Sequence, residues 1–224
     1  MKKHKIFIAC DTRNVDKVKK IIKLSENSKL KIGYKFGLEF VNSKLGRKFI
    51  SKLYKKIIFL DLKLHDIPNT CASTIKAIKD LKAEYITIHI SSGLEALKKA
   101  KEVCGNIKLV GVTTLTSLDN KSLKQLGYKN SIEKVVYEQA KLANKARLDA
   151  IVCSAKETRM VKKVFKKEII TPGIRISKDK DDQKRVISPY EAFKNGSNWL
   201  VIGRPITKGN ISYNLNKLIN HLEK

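Results

Sequence analysis

Short apolar runs recur along the chain, and each is followed by a stretch in which apolar residues return every three to four positions. The runs predict strands at 6–10, 30–33, 56–63, 85–90, 107–113, 150–153, 168–171 and 199–202. The periodic stretches predict helices at 14–25, 36–45, 68–81, 94–103, 117–146, 156–165, 188–195 and 211–222. Pro68 suits the first turn of its helix. Many of the strands are unbroken Ile/Val/Leu runs rather than alternating ones, as expected of strands covered on both faces of a parallel sheet. Eight β units alternating with helices, without a break in composition, predict an α/β chain folded as one (β/α)8 TIM barrel over 1–224. An open doubly wound sheet is the rival, but no GxGxxG follows the first strand. The segment 177–185 (SKDKDDQKR) is the one long polar connection without helical periodicity, which marks a functional or mobile loop.

Composition narrows the class. With 224 residues, 42% hydrophobic and 31% charged, the chain has ample material for a globular core. No apolar run approaches the ~20 residues that span a bilayer. The first ten residues hold too few apolar positions for a secretion signal, so a cytoplasmic location is expected. Cys10, Cys71, Cys104 and Cys153 lie far apart in or beside apolar stretches, which predicts buried thiols rather than disulfides or a zinc knuckle. No HExxH or other metal-ligand spacing is present, and no metal is expected. The net charge is +27, from 48 Lys+Arg against 21 Asp+Glu. Nucleic-acid binding and solvated helix faces both fit that excess. The lysines are dispersed, without a basic block, and only seven of the cations are Arg, which favours the solvated faces. A positive surface would still steer an anionic substrate.

In a barrel of this kind the active site is built at the C-terminal ends of the strands, so polar residues closing apolar strands are the candidates. They are Asp11, Lys31, Asp61, Lys63 and Asp66, then His89 and Ser91, Thr116 and Ser117, Arg175, and Gly203 with Arg204. Asp61 and Lys63 lie two apart on a strand and share a face, while Leu60, Leu62 and Leu64 share the other. A charged turn would explain them, and so would a Lys–Asp–Lys–Asp array with Lys31 as second cation. In such an array each charge offsets its neighbour's desolvation and a lysine stays protonated as a general acid. The blocks Thr171–Arg175 (TPGIR) and Val201–Thr207 (VIGRPIT) follow the seventh and eighth strands, a frequent phosphate site of this barrel; two plain surface turns are the alternative. His89 reads as a satisfied core histidine rather than a catalyst, and His65 carries no assignable role.

These blocks resemble the orotidine 5′-phosphate decarboxylase family. The resemblance runs through IACD (8–11), KIG (31–33), FLDLKLHDIPNT (59–70), VTTLTS (112–117), VCSA (152–155), TPGIR and VIGRPIT, in order over nearly the whole chain. The D-x-K-x-x-D element alone is shared with sugar-phosphate decarboxylases and synthases; the HDIPNT, TPGIR and VIGRPIT blocks single out the orotidine enzymes. The resemblance implies decarboxylation of orotidine 5′-monophosphate to uridine 5′-monophosphate in pyrimidine biosynthesis, without metal or organic cofactor. It implies Lys63 as the proton donor to C6, Asp61 against the substrate carboxylate, and Lys31 and Asp66 completing the array. Asp66 and Thr70 would reach across a homodimer interface. Asp11 and Lys31 would hold the ribose, Thr116 with Ser117 the pyrimidine edge, and Arg175, Gln183, Gly203 and Arg204 the phosphate, under a lid formed by 177–185. A metal-dependent sugar-phosphate enzyme and a basic nucleic-acid-binding module stand as the alternatives; specific nucleic-acid or membrane partners are not expected.

Overall fold

A computed structural model of the chain describes residues 3–175 and 187–223. Eight parallel strands close into a barrel in sequence order: β1 (Lys5–Ala9), β2 (Lys31–Gly37), β3 (Ile58–Leu64), β4 (Tyr85–His89), β5 (Lys108–Val112), β6 (Ala150–Val152), β7 (Glu168–Thr171) and β8 (Trp199–Ile202). The connecting helices are α1 (Val15–Ser25), α2 (Leu38–Val41), α3 (Gly46–Ile50), α4 (Pro68–Ala77), α5 (Gly93–Val103), α6 (Asn120–Gln125), α7 (Ile132–Lys145), α8 (Thr158–Val164), α9 (Pro189–Lys194), α10 (Arg204–Thr207) and α11 (Ile211–Leu222). The eight predicted strands and the barrel are all present. The longest described helix is the 14-residue α7, and none of the described helices is long and apolar enough to cross a membrane.

The period of two along each strand sorts side chains into two cores. Ile6, Ile8, Ile58, Leu60, Ile86 and Ile88 point outward into the apolar layer beneath the helices. Phe7, Phe59, Tyr85, Val110, Ala150, Ile170 and Trp199 point inward and form a separate cluster that fills the lower barrel. Phe7 stacks on Trp199 with centroids 4.1 Å apart. Continuing upward on the inner face, Phe7 gives way to Ala9 and Asp11, Phe59 to Asp61 and Lys63, and Tyr85 to Thr87 and His89. The aromatic layer is therefore a floor, and the residues above it face the mouth.

Three predicted boundaries shift for physical reasons. The second strand does not stop at Gly33 but runs to Gly37. Gly33 is a gap rather than a terminator, because a Cβ there would meet the Phe7 ring at 2.6 Å. The predicted helix 36–45 accordingly begins only at Leu38, as the short α2, with α3 after it. The predicted helix 117–146 divides into α6 and α7, with Gly127 at φ +85° between them.

Candidate active site

The upper barrel opens into a cavity of about 540 Å³. Of the residues expected at the site, Asp11, Asp61, Lys63, Thr116, Ser117, Arg175, Gly203 and Arg204 all line it, and Lys35 joins them. Asp11 follows β1, Lys35 lies on β2, and Asp61 and Lys63 lie on β3. The Lys35 ammonium donates to Asp11 Oδ1 at 2.7 Å and sits 3.5 Å from Asp61 Oδ2. The Lys63 ammonium donates to that same Asp61 Oδ2 at 2.7 Å. The result is an unbroken alternation of charge, Asp11–Lys35–Asp61–Lys63, across the mouths of three neighbouring strands. Gly37 leaves room for its first pair, since a Cβ there would come within 3.1 Å of Asp11 Oδ1 and 3.3 Å of Lys35 Nζ.

Burial and charge act against each other along this row. Burial pushes the Asp61 carboxyl up, but Lys35 and Lys63, with hydrogen bonds from Lys63 and Thr87, hold it below its ordinary value. Burial pushes the Lys35 ammonium down, but Asp61 and Asp11 hold it above its ordinary value. Both groups therefore stay charged at neutral pH. The side chains of Lys35 and Asp61 are 9% and 13% exposed, whereas that of Lys63 is 35% exposed. Lys63 is thus the cation of the row most open to the cavity.

Lys31 corrects the sequence expectation. It opens β2, is exposed, and pairs in register with Lys5 at the barrel's lower edge. Four residues of strand, about 13 Å, separate it from Lys35. Taking Gly33 as the end of the strand hid Lys35, although Tyr34 and Phe36 continue the apolar pattern on either side of it. Asp66 and Thr70 lie outside the cavity, exposed on the rim before and within the start of α4. Asp66 Oδ1 accepts a hydrogen bond from the Ile67 N–H at 2.7 Å.

The side wall comes from the segment after β5. Thr113 Oγ1 donates to the Val152 carbonyl at 2.9 Å. Gln139, reaching from α7, accepts from the Thr114 N–H at 2.9 Å and from its hydroxyl at 3.3 Å, so the Thr113–Ser117 wall is tied to a helix behind it. Gln139 carried no signal in the sequence. On the opposite side, Gly173 at φ +74° turns the chain after β7 toward Arg175. The Ile174–Ile187 bridge, with Arg175 N–H donating to the Ile187 carbonyl at 3.1 Å, fixes that turn. Gly203 caps the short α10 and leads directly into Arg204. Gln183 and the segment 177–185, expected at the phosphate and as a lid, lie outside the described residues.

His89 and His65 form a tilted ring pair with centroids 5.2 Å apart at the mouth. Burial first, then His65 and Lys63, push His89 below its ordinary value, so it is neutral at neutral pH. All four cysteines are free and buried, with burial pushing Cys10 up to about 12. Among the described residues no group of three or more His, Cys, Asp or Glu is arranged to hold a metal ion.

The orotidine 5′-phosphate decarboxylase / HUMPS family model matches residues 4–211. An orotidine 5′-phosphate decarboxylase of Wolbachia sp. subsp. Brugia malayi is 43% identical over 221 residues, covering 96% of each chain. One from Wolbachia pipientis subsp. Culex pipiens is 43% identical over 210 residues, covering 91% of each. Among solved structures, the orotidine 5′-phosphate decarboxylase of Lactobacillus acidophilus superposes with a TM-score of 0.82 at 29% identity over the whole of both chains. With the sequence blocks, the closed barrel and these full-length relatives in agreement, the chain belongs to the orotidine 5′-phosphate decarboxylase / HUMPS family and is an enzyme of its decarboxylase type.

Proposed function

We propose that the chain converts orotidine 5′-monophosphate to uridine 5′-monophosphate and carbon dioxide, with Lys63 as the proton donor. The observation that carries this reading is the Asp11–Lys35–Asp61–Lys63 row at the mouth of the barrel. Loss of carbon dioxide from C6 leaves an electron pair in the plane of the ring, where it gains little from delocalisation. Enzymes lower barriers by ~8–23 kcal/mol, and this step calls for the upper part of that range. An ammonium already fixed beside the reacting carbon stabilises the charge that develops there, without reorganising at the moment of reaction. The C6–carboxylate bond breaks, its electron pair stays on C6, and a proton from Lys63 Nζ forms the new C6–H bond.

The remaining roles follow from position. Asp61, held charged, stands where the substrate carboxylate would lie and disfavours its staying there. Asp11 and Lys35 hold the ribose hydroxyls, with Lys35 taking the role expected of Lys31. Thr116 and Ser117 meet the pyrimidine edge. Arg175, Gly203 and Arg204 take the phosphate, which supplies binding energy remote from C6; Gln183 and a closing lid at 177–185 belong to the same reading. Asp66 and Thr70 belong to the active site of a second copy in a homodimer. Their exposure on the rim, beside an Ile67 that is 66% exposed, supports that arrangement. The reading places the enzyme in pyrimidine biosynthesis.

An ultraviolet assay with orotidine 5′-monophosphate, on protein treated with EDTA, tests the proposal. The expected outcome is substrate loss and uridine 5′-monophosphate formation, undiminished by chelation. Absence of turnover, or activity only on a sugar phosphate with added divalent metal, would overturn it.

A further inference from the structure

Thr87 stands where three residues of the neighbouring strand face one. The pairing of β3 with β4 runs Leu60↔Ile86 and then Leu64↔Ile88. Asp61, Leu62 and Lys63 are therefore accommodated opposite the single residue Thr87. The extra length is absorbed at Lys63, whose φ is +49°. Among the described residues, Lys63 is the one non-glycine residue inside a strand or helix with a positive φ; Lys55, Lys82 and Arg147 have theirs in turns. Such a backbone is unfavourable for a side-chain-bearing residue and persists only when its surroundings hold it.

The Thr87 hydroxyl supplies that hold. It accepts a hydrogen bond from the Lys63 backbone N–H at 2.7 Å and donates one to Asp61 Oδ1 at 3.1 Å. Thr87 itself is fully buried. One hydroxyl thus fixes the backbone of the candidate proton donor and the carboxylate that pairs with its ammonium. Asp61 Oδ1 goes to Thr87, leaving Oδ2 to be shared by Lys63 at 2.7 Å and Lys35 at 3.5 Å. A flat strand would carry Lys63 two residues, about 6–7 Å, along the barrel from Asp61. The bulge lets the ammonium fold back onto the carboxylate instead.

We infer that Thr87 is a positioning residue of the decarboxylase, a hydroxyl clamp that holds Lys63 in its left-handed backbone conformation and orients Asp61 toward both lysines. This rests on the proposed reaction for its kinetic readout, while its geometric readout is independent of it.

The test compares Thr87→Val, which keeps the shape and removes the hydroxyl, with Thr87→Ser, which keeps the hydroxyl. Thr87→Val is expected to lower kcat about 10- to 100-fold. Its inhibition constant for uridine 5′-monophosphate should stay within about threefold of the wild type, since the phosphate and base contacts lie elsewhere. Thr87→Ser should recover most of the lost kcat. A Thr87→Val enzyme with wild-type kcat, or a Thr87→Ser enzyme as impaired as Thr87→Val, would overturn the inference. A crystal structure of Thr87→Val gives a second decision, even for a protein without decarboxylase activity. Lys63 leaving the positive-φ region, or its ammonium separating from Asp61 beyond 4 Å as a salt bridge is ordinarily bounded, supports the clamp. Retention of both features overturns it.

Discussion

Both ends of the barrel carry charge, but they use it differently. At the lower edge Glu168 takes three donors, Tyr85 Oη at 2.9 Å, Lys108 at 3.0 Å and Lys5 at 3.4 Å. Lys5 and Lys108 also lie over the rings of Trp199 and Tyr85. One carboxylate is saturated by donors resting on the aromatic floor, with relaxed strand geometry around it. At the upper edge two carboxylates and two ammoniums alternate, a backbone is held at positive φ, and the row opens into the cavity. A strained φ of this kind costs of the order of 1–3 kcal/mol, which the lower cluster does not bear. The lower network serves cohesion. The upper one keeps its charges poised beside open space.

The largest expected effect of separating the two is at Lys63. Lys63→Ala should cut kcat by about 10⁴-fold or more while circular dichroism shows a folded barrel. Turnover within tenfold of the wild type would remove the distinction between the two ends. A smaller effect contrasts two lysines of one strand. Lys35→Ala should lower kcat/KM by about 10²- to 10³-fold, because Asp11 and Asp61 lose the cation between them. Lys31→Ala, at the lower edge, should stay within twofold under the same steady-state assay; equal losses would contradict the assignment of Lys35 to the mouth.

The smallest effect lies at the lower end and concerns stability. Glu168→Gln should leave kcat unchanged and cost about 1–2 kcal/mol, a fall of about 2–8 °C in Tm. Burial pushes the Glu168 carboxyl up, but Lys108 and Tyr85, with the charge of Lys5, hold it below its ordinary 4.5. Between the folded and unfolded values the unfolded chain binds the extra proton, so this stabilisation is present above about pH 4.5 and is lost as acid protonates the folded state. The Tm difference between wild type and Glu168→Gln should therefore be widest above pH 4.5 and close in more acid solution. A gap that widens in acid would reverse the sign assigned to Glu168.

Much of this was legible from the chain itself. Strands buried on both faces are written as apolar runs, and a polar residue closing such a run has only the barrel mouth to face. That logic locates Asp11, Asp61, Lys63, Arg175 and Arg204 at the cavity. It fails where a glycine serves space rather than chain reversal: Gly33 yields to the Phe7 ring, and misreading it moved the second cation from Lys35 to Lys31. It also fails where the information lies in pairing. Thr87 reads as one more residue in an apolar strand, and only the register of β3 against β4 reveals what its hydroxyl meets. Gln139 is hidden similarly, as a polar residue on a helix whose partner is a loop.

The three-against-one register also bears on how such chemistry could be moved between scaffolds. A strand bearing Asp-x-Lys, copied into another barrel, would bring the right functional groups and lie flat. Its lysine would then stem about 6–7 Å further up the wall than its aspartate, with no neighbouring hydroxyl to hold either in place. The transferable unit is two strands long: the charged tripeptide together with a hydroxyl on the adjoining strand, set where the ladder skips.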